Sequence, residues 1–483
     1  MTAVDELLIR NADLAGYGLA DVRIQDGVVI AIGQGLRSSR NDIDAGGGAL
    51  IPGLTDHHIH LFATAASRQT LRLESVKSRG ALEQILRKAI HELLPDQWLR
   101  AAGYDERIAG TDFRPMLDAL SPDHPVRIQA RTGGLWILNS IALMRLGNGP
   151  YPGGVETGPD GLPSGRIWRE DAWLRQILGG EMPDLAPVGA QLAAYGITSV
   201  TDASVTTDQG TADLLAAAHR TGAIPQRLEL MSGGELAGPS DGAFTVGAVK
   251  IVLDDGDLPD LGHLCDMIRA ARKQDRAVAF HCVATAELAI LLAALMETGS
   301  RLGDRIEHGG IIPVSAIGGI QRLGLAVVTQ PGFIHARGGR YLDTVDPGDL
   351  PDLYRCASLL QRGVPVFGSS DAPYGPLDPW LAMKAAIERR SEEGLCLGES
   401  ERLAPAEALA LYSPGYRKPL QPGSKADLCL LKTPLDSALQ QLSAGLVRMT
   451  IIGGRLFPAD GQPANHPAAI ESCGCKPEVG ARR

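Results

Sequence analysis

Apolar and polar positions alternate along this chain in two distinct periods, and the order of those periods predicts its architecture. Near the start, residues 20–33 alternate with period two around Asp26-Gly27, a pair suited to positive φ, and predict a β-hairpin. A similar pattern recurs near the other end, where a strand at 427–431 precedes 446–457, which turns at Gly453-Gly454. These two pieces predict a small β-sandwich domain assembled from both chain ends. Between them, short apolar runs predict strands at 55–60, 196–202, 227–231, 248–253, 277–281, 304–308, 325–330 and 364–371. Most intervals carry helical repeats, as at 287–297. Eight strands in βα alternation predict an α/β fold built on a closed (β/α)8 TIM barrel. Residues 62–190 are far more than one crossover helix needs. They read as an insertion after the first barrel strand, with its own strand (126–131) and helix (81–94), expected over the barrel mouth. The domain plan is thus 1–52 and 405–460 for the sandwich, 53–404 for the barrel and 461–483 as a flexible tail.

Bulk properties narrow the partners. A chain of 483 residues with 44% hydrophobic content suits a large soluble catalytic domain plus a smaller one. A net charge of −10 argues against nucleic acid or an anionic membrane as the main partner. The longest apolar run, 288–296, is too short to span a bilayer, and no secretory signal is visible. Seven scattered cysteines follow no disulfide framework, which fits a reducing cytoplasm. Cys473 and Cys475, one residue apart in a Gly/Pro-rich tail, make a poor metal or redox motif. The number of copies in the assembly stays open, a homo-oligomer included.

Candidate chemistry begins in the segment 51–60, where His58 and His60 alternate across Ile59. On a strand, side chains at i and i+2 share a face, so both imidazoles project together as half of a metal site. Asp56 shares that face and is expected to receive a ring N–H. His57, on the opposite face, reads as structural. Further metal-competent residues recur at later strand ends, where a barrel enzyme keeps its site: His281, His308 and Asp371. Lys250 lies within the fourth strand and could pair with Asp254 or Asp255. Asp371 could also cap a helix or shape a turn.

Taken together, 52–60, His281, Glu307-His308 and Ser370-Asp371-Ala372-Pro373 resemble the amidohydrolase superfamily. More narrowly, 131–140, 196–202, 305–308 and 375–379 resemble its amidohydrolase-3 branch, which includes N-substituted formamide deformylases. The resemblance covers roughly residues 5–458. It implies a metal-dependent hydrolase that cleaves an amide-type C–N bond of a small molecule by attack of metal-bound hydroxide. It assigns His58 and His60 to one divalent metal, zinc by preference, and His281 and His308 to a second. Lys250, if carbamylated, would bridge the two, with Asp371 completing the first and acting as general base and acid. In the mononuclear alternative, His58, His60, His281 and Asp371 bind one metal, His308 hydrogen-bonds the nucleophile and Lys250 is structural. One departure is Gly134, where relatives often carry a histidine.

Other readings stay open. A deaminase on this barrel would often place a glutamate three residues after His281, where this chain has Ala284. A lactonase shares the same chemistry. A catalytically inactive binding protein would be expected to lack ligands, and none of the expected ones is missing. Substrate contacts are expected from Tyr104, Arg131, Trp136 and Asn139 in the insertion and from His335 and Tyr374 after strands seven and eight.

Overall fold

The computed structural model describes residues 6–39, 41–73, 76–130, 134–147, 149–178 and 183–460. The tail expected at 461–483, with Cys473 and Cys475, lies outside the described residues, as do Arg131, Thr132 and Gly133. Eight parallel strands form one sheet in chain order: β1 (Leu54–Ile59), β2 (Ile197–Asp202), β3 (Arg227–Ser232), β4 (Thr245–Val252), β5 (Val278–Cys282), β6 (Arg305–His308), β7 (Ala326–Thr329) and β8 (Val366–Gly368). The edges meet beyond the last strand, where the Asp371 N–H donates to the His58 carbonyl at 2.8 Å. The Ser370 N–H donates to the Asp56 carboxylate at 3.0 Å. A curved parallel sheet needs helices outside it, and the apolar faces of Leu261–Lys273 and Thr285–Thr298 meet that need with Leu264, Ile268, Leu288 and Leu291 buried.

The chain ends build two four-stranded sheets. In the first, Glu6–Leu14 lies between Gly18–Gln25 and Asp42–Asp44, and Val28–Gly33 completes the hairpin expected at Asp26-Gly27. Both turn residues have positive φ, 50° and 74°. In the second, Leu50–Pro52 pairs antiparallel with Leu428–Leu431, which continues into Val447–Ile452 and Arg455–Pro458. One apolar cluster joins the two sheets, with Leu7, Val22, Val29, Leu428 and Ile451 at its centre. That shared core is the β-sandwich predicted from both ends.

The chain divides into two compact units, Met1–Ile59 with Gly189–Arg483, and His60–Val188. The second unit is more elaborate than its sequence suggests. It holds a six-stranded sheet in the order Val155–Thr157, Pro163–Trp168, Leu135–Leu138, Val126–Ala130, Leu99–Tyr104 and Leu71–Arg72. Leu82 and Leu86 of helix Arg79–His91 and Leu117 of Arg114–Leu120 pack in the same cluster as Ile128 and Ile137 of the sheet. Among the described residues, no helix is long and apolar enough to cross a membrane.

Candidate metal centre

The C-terminal ends of β1, β4, β5, β6 and β8 carry the residues that sequence spacing selected. His58 lies near the end of β1, and His60 directly follows that strand. Donor atoms of His58, His60 and Asp371 lie within 4.8 Å of one another. The His58 Nε2 faces the Asp371 Oδ1 at 3.5 Å. The His308 ring is centred 4.8 Å from that of His58 and 4.5 Å from that of His281. Its Nδ1 lies 3.8 Å from the Asp371 Oδ2.

Two of these residues depart from regular strand geometry. Glu307 contacts His58 across the barrel, so strict alternation along β6 would turn His308 to the opposite face. His308 instead has φ of 70°, and Asp371, past the end of β8, has φ of 49°. Positive φ is uncommon for residues other than glycine and costs on the order of 1–3 kcal/mol when the surroundings enforce it. Here it turns both side chains toward the same point. The eighth strand ends at Gly368 and not at Asp371: the Ser369 N–H still bonds the Thr329 carbonyl, but the Ser370 N–H turns to the Asp56 carboxylate.

Burial sets the charge states. Desolvation, with the nearby Lys250 charge adding to it, lowers the His58 pKa to about 4. Burial also lowers the pKa of His281 and takes that of His308 well below its usual value. Neutral imidazoles are the form that binds a cation. Lys250 is 4% exposed, and burial lowers its pKa to about 8. Among the described residues its Nζ has no hydrogen-bond partner, so the pairing with Asp254 or Asp255 that the sequence allowed does not form. A buried, unpartnered amine beside neutral imidazoles and a carboxylate is a donor set that fits one or two divalent cations.

The supporting contacts differ from expectation. Asp56 does not take a ring proton: its carboxylate accepts the backbone N–H groups of His58 and Ser370. Burial raises its pKa to about 6. The partner of the His58 Nδ1 is the Oε2 of Glu307, a wholly buried residue. Burial alone would raise the Glu307 pKa, but Arg305, Lys250 and His58 outweigh it and hold the carboxyl well below its usual range. Arg305 donates to the other Glu307 oxygen and, at 3.0 Å, to the His57 carbonyl. The His57 ring packs tilted on Phe367 at 4.8 Å, and its burial lowers its pKa to about 3. Glu307 sits in a motif already singled out, yet its role depends on a bond to a strand far away in sequence. The i, i+2 relation to Arg305 was the available signal.

The expected substrate contacts separate. Tyr104 is fully buried in the inserted unit; its hydroxyl donates to the Gly110 carbonyl at 2.6 Å and accepts from the Ala109 N–H. Asn139 is equally buried. Its side chain caps helix Ser140–Met144 and donates to the Ser121 and His124 carbonyls. Both are core residues of that unit, with their polar atoms engaged within it. Arg131 lies outside the described residues. Trp136 is half-buried, with the Arg127 guanidinium 4.6 Å above its ring. Tyr374 is exposed, and His335 lies half-buried on helix Gly332–Thr344 after β7.

Comparison with known proteins gives the family and the fold. The profile of the Amidohydrolase family matches residues 42–457. YtcJ of Bacillus subtilis (strain 168), provisionally named an amidohydrolase, is 24% identical over 90% of this chain and 95% of its own length. The N-substituted formamide deformylase of Arthrobacter pascens is 23% identical over 86% of this chain and 89% of its own. Among solved structures, an uncharacterised metal-dependent hydrolase from Pyrococcus horikoshii OT3 shares the fold, with a TM-score of 0.71. It is 20% identical and covers 88% of this chain and 97% of its own.

Proposed function

Because the chain belongs to the amidohydrolase family, we propose that it hydrolyses an amide-type C–N bond of a small molecule with the aid of a divalent metal. The observation that carries this reading is the convergence of His58, His60 and Asp371 within 4.8 Å. Imidazole and carboxylate donors suit zinc. Such a cation, when bound, lowers the pKa of water toward about 7 and polarises a substrate carbonyl.

The protein's own groups supply the rest. Asp371 accepts a proton from the attacking water and delivers it to the departing amine nitrogen. The backbone bond from Asp371 to the His58 carbonyl and the positive φ fix its carboxylate for that exchange. Glu307 holds the Nδ1 of His58, which turns Nε2 toward Asp371. His281 and His308 complete the donor set. The unpartnered Nζ of Lys250 favours a two-metal form. Capture of carbon dioxide there would form an Nζ–C bond with loss of one N–H proton, and the anionic carbamate would add carboxylate-like donors to the set. His335 and Tyr374 are our proposed substrate contacts in the barrel unit.

The test pairs metal content with turnover. Zinc-reconstituted protein should hydrolyse at least one class among N-formyl amines, N-acyl amines, cyclic amides and lactones. Asp371→Asn should lower kcat by at least about 100-fold. Undiminished turnover in that variant rejects Asp371 as the base. Absence of both metal and turnover in the wild-type protein would favour an inactive binding protein instead.

A further inference from the structure

Gln330 directly follows β7 and is wholly buried, as is Thr329; Ser369 is 1% exposed. The three form a short relay that ends on a candidate metal ligand. The Ser369 hydroxyl has one hydrogen, which it donates to the Thr329 carbonyl at 3.2 Å. Toward Gln330 it can therefore only accept, which makes the amide group facing it at 2.9 Å the NH2. The other end of the amide is then the carbonyl oxygen. That oxygen lies 3.0 Å from the His308 Nδ1 and can only accept from it. The Asp371 Oδ2, 3.8 Å from the same nitrogen, is also an acceptor. The single proton of a neutral imidazole must then sit on Nδ1, and the lone pair on Nε2.

We propose that Gln330, oriented by Ser369, is a positioning residue that holds His308 in the Nδ1–H tautomer and so presents Nε2 as its metal donor. The proposal rests on the metal-binding reading above. Glu307 does the same for His58, but as a carboxylate it needs no orienting partner, whereas an amide does. A relay of this kind also restricts His308: with Nε2 unprotonated, it can donate electrons to a cation but cannot donate a hydrogen bond to a nucleophile.

Zinc affinity of the metal-stripped full chain, measured by competition with a chromophoric chelator, is the readout, with no substrate involved. Gln330→Met removes the acceptor and should weaken zinc binding about 10–100-fold. Gln330→Glu keeps an acceptor and should bind zinc at least as tightly as the wild type. Ser369→Ala leaves Gln330 in place but frees its amide to turn, and should weaken binding several-fold, about midway between wild type and Gln330→Met. Thermal unfolding of each metal-free variant separates a lost fold from a lost tautomer; should Gln330→Met not fold, the Ser369→Ala result decides. Unchanged affinity in both Gln330→Met and Ser369→Ala, or equal losses in Gln330→Met and Gln330→Glu, would overturn the relay. Wild-type protein that binds no zinc would overturn the metal reading beneath it.

Discussion

Lys250 shows how one residue can be prepared for chemistry by what surrounds it. It is an amine held in the barrel interior by an apolar strand, with a pKa lowered to about 8 by burial and an Nζ that meets no acceptor. An unfolded chain restores a pKa near 10.5, so between pH 8 and 10.5 the unfolded state binds the extra proton. Stability of the metal-free protein should therefore rise with pH across that window and fall as pH drops through 8. Urea unfolding at pH 8 and pH 10 should show wild type gaining about 2–3 kcal/mol relative to Lys250→Met. An identical pH response in the two proteins contradicts it. At this scale the sequence revealed His58, His281, His308 and Asp371, because each is a ligand-type residue at a strand end. Glu307 and Gln330 escaped the same rule. Glu307 acts through a contact between distant strands, and Gln330 stands at a strand end but is not a residue type that binds metals. The positive φ at His308, which turns that ring inward, has no signature in residue order.

Among elements, the junction of sandwich and barrel is tightly constrained. Leu50–Pro52 belongs to the sandwich and Leu54–Ile59 to the barrel, with Gly53 alone between them. A Cβ at Gly53 would lie 2.2 Å from the Thr198 side chain on β2, a β-branched residue 3% exposed. The first strand can approach the second only because position 53 has no side chain. Gly53→Ala should cost about 1–3 kcal/mol in chemical denaturation, an overpacking penalty; a loss under about 0.5 kcal/mol would mean that Thr198 yields freely. The eight barrel strands were legible because each is a compact apolar run bounded by turn residues. Of the six strands in the inserted unit's sheet, only Val126–Ala130 was. The sheet's outer strands, Leu71–Arg72 and Val155–Thr157, are two and three residues long. Strands that short carry no measurable period.

For the molecule as a whole, the proposed metal centre draws on distant strands and so would tie ligand binding to folding. His58, Lys250, His281, His308 and Asp371 come from five strands or strand ends, so the unfolded chain offers no comparable site. Zinc at one hundred times its Kd should stabilise the fold by about 2.7 kcal/mol and raise Tm by several degrees, reversed by a chelator. An unchanged Tm would separate metal binding from the native barrel. The most direct measurement is an anomalous difference map at the zinc edge from crystals of the zinc-loaded protein. Density is expected between His58, His60 and Asp371, with a second peak toward His281 and His308 if Lys250 is carbamylated. Zinc absent there, or bound only at the surface, would contradict the metal-centre reading.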